Sequence, residues 1–378
     1  MRLWQKATGA LKDRYSIWVA KLSPSGPCRN PDLETVIIKA TSHDEQCMDY
    51  KSVQKVFKWL RTSPLYLKPL LYTLSMRMEK TRSWVVALKG LMLIHGVFLF
   101  DLPAVQRMGR LPFDLSRFSD GHMKPHKARV FNAFVRSYFA YLDQKSAFVR
   151  VEAMKENKRG NKDKEESVME ELQSLEKLLG LIELLLQIKP RNHDMNVVLI
   201  VEAMDCVMDE FLEVYGKFCV RVHRVVLRII DLGGQVEAGV GLDIVKKAES
   251  QGSRISTYFD FCKDIGVLNV SDCPDIVTID EKDIRELQNI SDGCCVSESN
   301  DNNAILVRNF SATATNLDQR QSCLKTVITH QWEVFDDDLI DTPSNVATTS
   351  YNPFVDYSFS LVPYIPVCNN HVFAWDLL

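Results

Sequence analysis

Glycine and proline are scarce, at 16 and 14 in 378 residues. That leaves too few tight turns for an all-β design and favours helices. The ten cysteines, at 28, 47, 206, 219, 262, 273, 294, 295, 323 and 368, are scattered, and no pair is spaced Cys-x-x-Cys. They read as reduced thiols of a cytosolic protein, several of them simply core residues. Long apolar runs are missing as well. Residues 1–22 mix Trp, Lys, Ala and Arg and lack the continuous apolar stretch of a secretory signal. The most apolar segment, 84–100, is short and broken by Lys89 and His95. It reads as a buried helix rather than a membrane span, so any membrane association is expected to be peripheral.

The usual furniture of an enzyme is also lacking, for there is no Gly-rich phosphate loop and no Gly-x-Ser-x-Gly. His43 with Cys47, and His122 with His126, have an i, i+4 spacing that suits a metal. Neither pair has two further ligands in register, so these residues read as structural. No catalysis, metal or cofactor is expected. Nucleic acid is not an expected partner either, since no recognised motif accompanies the basic residues and the aromatics fall mostly on apolar faces.

What the chain does have is a separation of charge. Residues 1–150 carry 25 Lys+Arg against 11 Asp+Glu, a net of +14, while the remainder carries 21 against 38, a net of −17. A pI near 6.3 hides this polarity. Past Cys273 the balance is 5 basic to 16 acidic, and helical periodicity fades into Ser, Thr, Asn and Pro. Residues 271–378 are expected to be a mostly disordered acidic tail.

Ahead of the tail the pattern is helical throughout. In residues 1–22 the apolar positions Leu3, Trp4, Ala7, Leu11, Tyr15, Trp18 and Leu22 form one stripe. Two readings stay open for it: an amphipathic helix lying in a lipid interface, or a first helix docked on the core. Asp32 is expected to cap a helix to about His43, and Asp49 another from Tyr50 to about Arg61. In the latter, Val53, Val56, Phe57 and Leu60 make one face, and Lys51, Lys55 and Lys58 point three ammonium groups from another. Further helices are expected at 64–79, 83–100, 124–155, 165–188, 195–232, 236–250 and 253–263, with Pro64, Pro190 and Gly233-Gly234 as limits. The charged stretch 154–167 reads as a solvated loop, and order is expected to end between 265 and 290. So many consecutive helices suit a superhelical stack better than one bundle core.

Three blocks in order carry a resemblance: Lys39-Ala40-Thr41-Ser42-His43, then Ser83-Trp84-Val85-Val86-Ala87-Leu88-Lys89-Gly90-Leu91, then Phe134-Val135-Arg136-Ser137-Tyr138-Phe139-Ala140-Tyr141-Leu142, with Phe113-Asp114-Leu115-Ser116-Arg117-Phe118 between the last two. Over roughly residues 1–270 the chain resembles the ANTH domain of phosphatidylinositol-binding clathrin assembly proteins, particularly the plant branch. The resemblance implies an all-α, right-handed superhelical stack over 31–270, preceded by an amphipathic segment at 1–30. It also implies an endocytic adaptor that binds phosphatidylinositol 4,5-bisphosphate and recruits clathrin, acting at coated pits and vesicles or the Golgi. In that family the headgroup site is a Lys, basic residues ten and twelve positions later, and a His or Tyr. Here those places hold Lys39, Asp49, Lys51 and Ser52, so two of four keep their type. Lys55 and Lys58, on the same face as Lys51, are expected to compensate in part. A groove near 195–232 is where the resemblance would put capture of a SNARE helix. A soluble scaffold that binds peptides without lipid is the alternative.

The tail resembles the family's in style. Trp332-Glu333-Val334-Phe335-Asp336 matches the Trp-x-x-Phe-acidic pattern of adaptor ear ligands, and Asn352-Pro353-Phe354 matches the tripeptide bound by EH domains. The terminal Asp376-Leu377-Leu378 resembles the boxes held by the clathrin heavy chain. Weak hooks in series act by avidity on a lattice.

Overall fold

The computed structural model describes residues 2–22, 24, 26, 29–100, 102–159, 166–191, 195–267 and 273–293. The described part is all-α, as expected. Eleven α-helices follow one another: α1 (Arg2–Leu22), α2 (Pro31–Ala40), α3 (Tyr50–Thr62), α4 (Leu67–Lys80), α5 (Trp84–Phe98), α6 (Pro103–Gln106), α7 (Pro125–Arg159), α8 (Val168–Leu185), α9 (Val198–Leu232), α10 (Gln235–Asp264) and α11 (Glu281–Ser291). A 3-10 turn, Pro64–Tyr66, leads into α4. None of the described helices is long and apolar enough to cross a membrane.

Local chemistry explains the helix ends. Asn30, not Asp32, caps α2: its Oδ1 accepts from the amides of Asp32 and Leu33, and Pro31 stands in the first turn, where its missing N–H is no loss. The helix stops at Ala40 rather than His43, because the Thr41 hydroxyl turns back onto the Ile37 carbonyl at 2.7 Å. Asp49 caps α3 as the pattern predicts, and Val53, Val56, Phe57 and Leu60 are buried on its inner face. Ser167 and Glu170 form a capping box on α8, and Gly233 ends α9 at φ 67°.

Three further expectations need correction. Residues 236–250 and 253–263 form one helix, α10, because Gly252 is present for packing rather than to break the chain. A Cβ there would meet Ile276 Cγ2 at 2.8 Å. The charged stretch after Met154 begins as helix, since α7 runs on to Arg159. Lys155 there pairs with Glu152 and with Glu166, at 3.5 and 3.0 Å. Finally, α11 lies beyond 270. It packs on α9 and α10 through the fully buried Leu287, after a non-helical run whose Val277 amide donates to the Tyr215 hydroxyl at 2.9 Å.

The stripe on α1 is helical, yet from Ala7 onward it faces outward. The helix docks on α2 through its narrow side, where Ala20 is fully buried and a Cβ on Gly9 would strike the His43 Cβ at 2.7 Å. Leu11, Tyr15, Trp18 and Leu22 stay 64, 66, 59 and 65% exposed.

At the centre, α5 is buried almost all round, and it carries two polar side chains inward. One of them, His95, joins a network across α5, α7 and α9. Glu210 accepts from His95 Nε2–H at 3.0 Å, from the Tyr141 hydroxyl at 2.5 Å and from the Lys145 ammonium at 2.5 Å. His95 Nδ1 then accepts from the Tyr138 hydroxyl at 2.7 Å. Burial holds His95 below its ordinary pKa and therefore neutral.

A braced lysine face

Lys39 sits on the last turn of α2, and Lys51, Lys55 and Lys58 lie along α3, all four exposed. Among the described residues none of the four has a carboxylate partner, so their charge is available to something outside the chain. The loop between Lys39 and Lys51 is tied down from several sides. The Asp13 carboxylate on α1 accepts from the His43 amide and from His43 Nδ1–H, each at 2.8 Å, and from the Arg77 guanidinium at 2.9 Å. Arg77 also donates to the Thr41 carbonyl at 2.7 Å. Glu202, on α9, accepts the Met48 amide at 3.1 Å. Beneath the loop, the buried Lys89 reaches Ser42 Oγ at 3.3 Å.

Burial pulls on each of these charges. The Lys89 ammonium is held below the usual lysine range by burial, against the nearby Asp44, Cys47 and Glu202. Arg77 is likewise lowered by burial, and Asp13 opposes this. For Asp13 burial pushes upward, but its hydrogen bonds to His43 and Arg77 outweigh that and leave the carboxyl below its ordinary value. Lys89 escaped the sequence reading as a supporting group. A single ammonium in an otherwise apolar helix was the available signal.

The two departures from the headgroup pattern also have a structural cause. Asp49 Oδ1 accepts the Ser52 amide at 3.2 Å and Oδ2 accepts the Ser52 hydroxyl at 2.7 Å. The carboxylate is therefore turned onto the α3 N-terminus, whose partial positive charge offsets it, and Ser52 is buried. Neither residue adds a cation to the face.

The chain can be placed by comparison with known proteins. The ANTH domain profile matches residues 32–293. The chain belongs to the ANTH domain family. Three Arabidopsis thaliana relatives, each named for clathrin assembly, are 42, 41 and 39% identical to it. The alignments cover 97, 89 and 77% of this chain and 96, 89 and 82% of the respective relatives. The matched span of the ANTH domain ends at the last described residue, just after α11.

Other residues singled out from the sequence fall elsewhere. Trp332, Phe335, Asp336, Asn352, Pro353, Phe354, Asp376, Leu377 and Leu378 lie outside the described residues. In the ANTH domain, His43 is bound to Asp13, and His122 Nδ1–H donates to the Arg82 carbonyl at 2.9 Å. No group of three or more His, Cys, Asp or Glu among the described residues is placed to hold a metal ion. The apolar run of α9 is largely spent on the core, with Val198, Val220, Leu227 and Leu232 left outside.

Proposed function

We propose that this ANTH protein is a peripheral-membrane adaptor of clathrin coats, in which Lys39, Lys51, Lys55 and Lys58 hold the phosphates of phosphatidylinositol 4,5-bisphosphate. The observation that carries this reading is the set of four exposed lysines, without a carboxylate partner among the described residues, around a loop already fixed by Asp13, Arg77, Lys89 and Glu202. A fixed loop brings converging cations to an anionic leaflet without having to be ordered first. Each Lys or Arg near such a surface contributes about 1 kcal/mol. With Asp49 and Ser52 in two of the four family places, headgroup selectivity rests more on total charge, and binding falls steeply with salt.

Residues 32–293 are the membrane-facing body, and the acidic tail engages clathrin heavy chain, adaptor ears and EH-domain proteins through its three motifs. Support comes from the relatives, which are named for clathrin assembly and align with nearly the whole chain. The protein acts at the cytoplasmic face of coated pits and vesicles. Sedimentation of the full chain with phosphatidylcholine vesicles, with and without phosphatidylinositol 4,5-bisphosphate, tests the lipid part. Lys55→Glu/Lys58→Glu is expected to lower pelleting on the anionic vesicles and to leave the melting temperature unchanged. Equal pelleting on neutral and anionic vesicles would favour the scaffold without lipid contact instead.

A further inference from the structure

Where α8 ends, residues 186–189 lie against the C-terminal part of α10 and enclose a pocket of about 320 Å³, to which no residue of the lysine face contributes. The buried Tyr258 donates its hydroxyl to the Ile188 carbonyl at 2.8 Å, which ties the chain leaving α8 to α10. Lys189 is the next residue, so this bond places it. Arg254 stands one helical turn before Tyr258, and both cations are exposed, with no carboxylate partner among the described residues. No Asp or Glu lines the pocket. Glu183, slightly earlier on α8, is already taken by Lys247 at 3.3 Å and by Gln251 at 2.9 Å. The Thr257 hydroxyl is spent on the Ser253 carbonyl at 2.8 Å, while the exposed Ser253 hydroxyl has no partner among the described residues. One side of the pocket therefore offers donors and no anion of its own.

The other side is apolar, with Leu186 buried and Phe261 half-buried beside Tyr258. A dissolved inorganic anion would leave this wall unused. A bilayer is a poor match too, since Leu186 and Tyr258 are 6 and 3% exposed and cannot enter it. A short peptide satisfies both sides. The Arg254 guanidinium suits a carboxylate held by two parallel hydrogen bonds, Lys189 adds a second charge on a hydrocarbon stem, and the apolar wall takes an aromatic ring.

We propose that the α8–α10 pocket docks a short acidic segment of a partner protein, with one aromatic side chain against Leu186 and Phe261 and flanking carboxylates on Lys189 and Arg254. The helical body is then a peptide-binding surface in its own right. This site does not depend on lipid binding, so either can fail alone. The probe is a fluorescein-labelled Asp-Asp-Phe-Asp-Asp peptide, titrated into the full chain and followed by anisotropy. Lys189→Ala/Arg254→Ala, at exposed positions where the melting temperature is expected to match the parent, should weaken binding about tenfold. Lys189→Arg/Arg254→Lys keeps both charges and should retain most of it, and replacing the Phe of the probe by Ala should weaken it as well. Lys55→Ala/Lys58→Ala is expected to bind the probe like the parent.

Parent-like binding by Lys189→Ala/Arg254→Ala overturns the site, as does a probe that neither the parent nor the tail variant Trp332→Ala/Phe335→Ala binds. If Lys55→Ala/Lys58→Ala is the variant that loses the probe, the acidic peptide has found the lysine face and the pocket assignment falls. Tighter binding by the tail variant than by the parent would give the pocket to the chain's own acidic segment instead of a partner. Weaker pelleting of Lys189→Ala/Arg254→Ala on anionic vesicles would give it to lipid.

Discussion

Glu210→Gln isolates one charge at the centre of the protein. The carboxylate is 2% exposed and takes three donors, of which the Lys145 ammonium, at 2.5 Å and 12% exposed, is the only full charge. Burial by itself would raise the Glu210 carboxyl. Lys145 and His95 overcome that and hold it well below the usual range, so it is ionised at every working pH. In the glutamine variant the remaining oxygen can still accept from Tyr141. His95 can exchange tautomers, accepting from the new amide and donating to Tyr138. Lys145 has no such recourse, since its other close neighbour is the Phe98 ring at 5.6 Å. Removing one partner of a buried pair costs about 3–5 kcal/mol. At about 2–4 °C per kcal/mol, the lower figure alone lowers the melting temperature by roughly 6–12 °C. Thermal unfolding followed by circular dichroism reads this directly, and adding Lys145→Met to Glu210→Gln is expected to recover part of the loss. If the single variant melts within about 1 kcal/mol of the parent, Lys145 reaches water easily and the network is not what joins α5, α7 and α9.

Gly96→Ala is expected to cost about 1–3 kcal/mol, because the new Cβ would lie 2.4 Å from the stiff Phe57 ring of α3. Gly90→Ala meets only the flexible Met78 thioether, at 2.3 Å, and should cost less. Chemical denaturation that ranks the two the other way would refute the packing argument. The Asp13 pKa is lower folded than unfolded, so its stabilisation is present above about pH 4 and is lost as pH falls through the folded value. Asp13→Asn should therefore flatten the acid limb of melting temperature against pH, and identical limbs would contradict this. Pull-down of clathrin and adaptors by the full chain should fall when Trp332, Phe335, Phe354 and Leu377 are all changed to Ala, and undiminished recovery would make the motifs accidental.

The parts of the fold that were legible are those where local chemistry and packing agree. In α3 the Asp49 cap, the apolar face and the lysine face all repeat within thirteen residues, so periodicity alone suffices. The gap expected between 250 and 253 is helix instead, and Gly252 within it is small because of Ile276, which comes from beyond the helix. The α1 stripe shows a helix without saying which way it turns. Its outward pose follows from its docking on α2, with Ala20 buried and Gly9 against His43 just beyond that helix. Least legible is the Glu210 network, whose donors stand 115, 69 and 65 positions away along the chain. The lysine face was readable as a charge pattern, because Lys51, Lys55 and Lys58 keep helical spacing along α3.

The run before α11 has a practical consequence for dividing the protein. Ile276 covers Gly252, Val277 binds the Tyr215 hydroxyl, and Leu287 is wholly enclosed. A shortened chain ending at 270 would strip this cladding from α9 and α10 and present bare hydrocarbon to water. Such a fragment should self-associate, where one ending at 293 stays monodisperse.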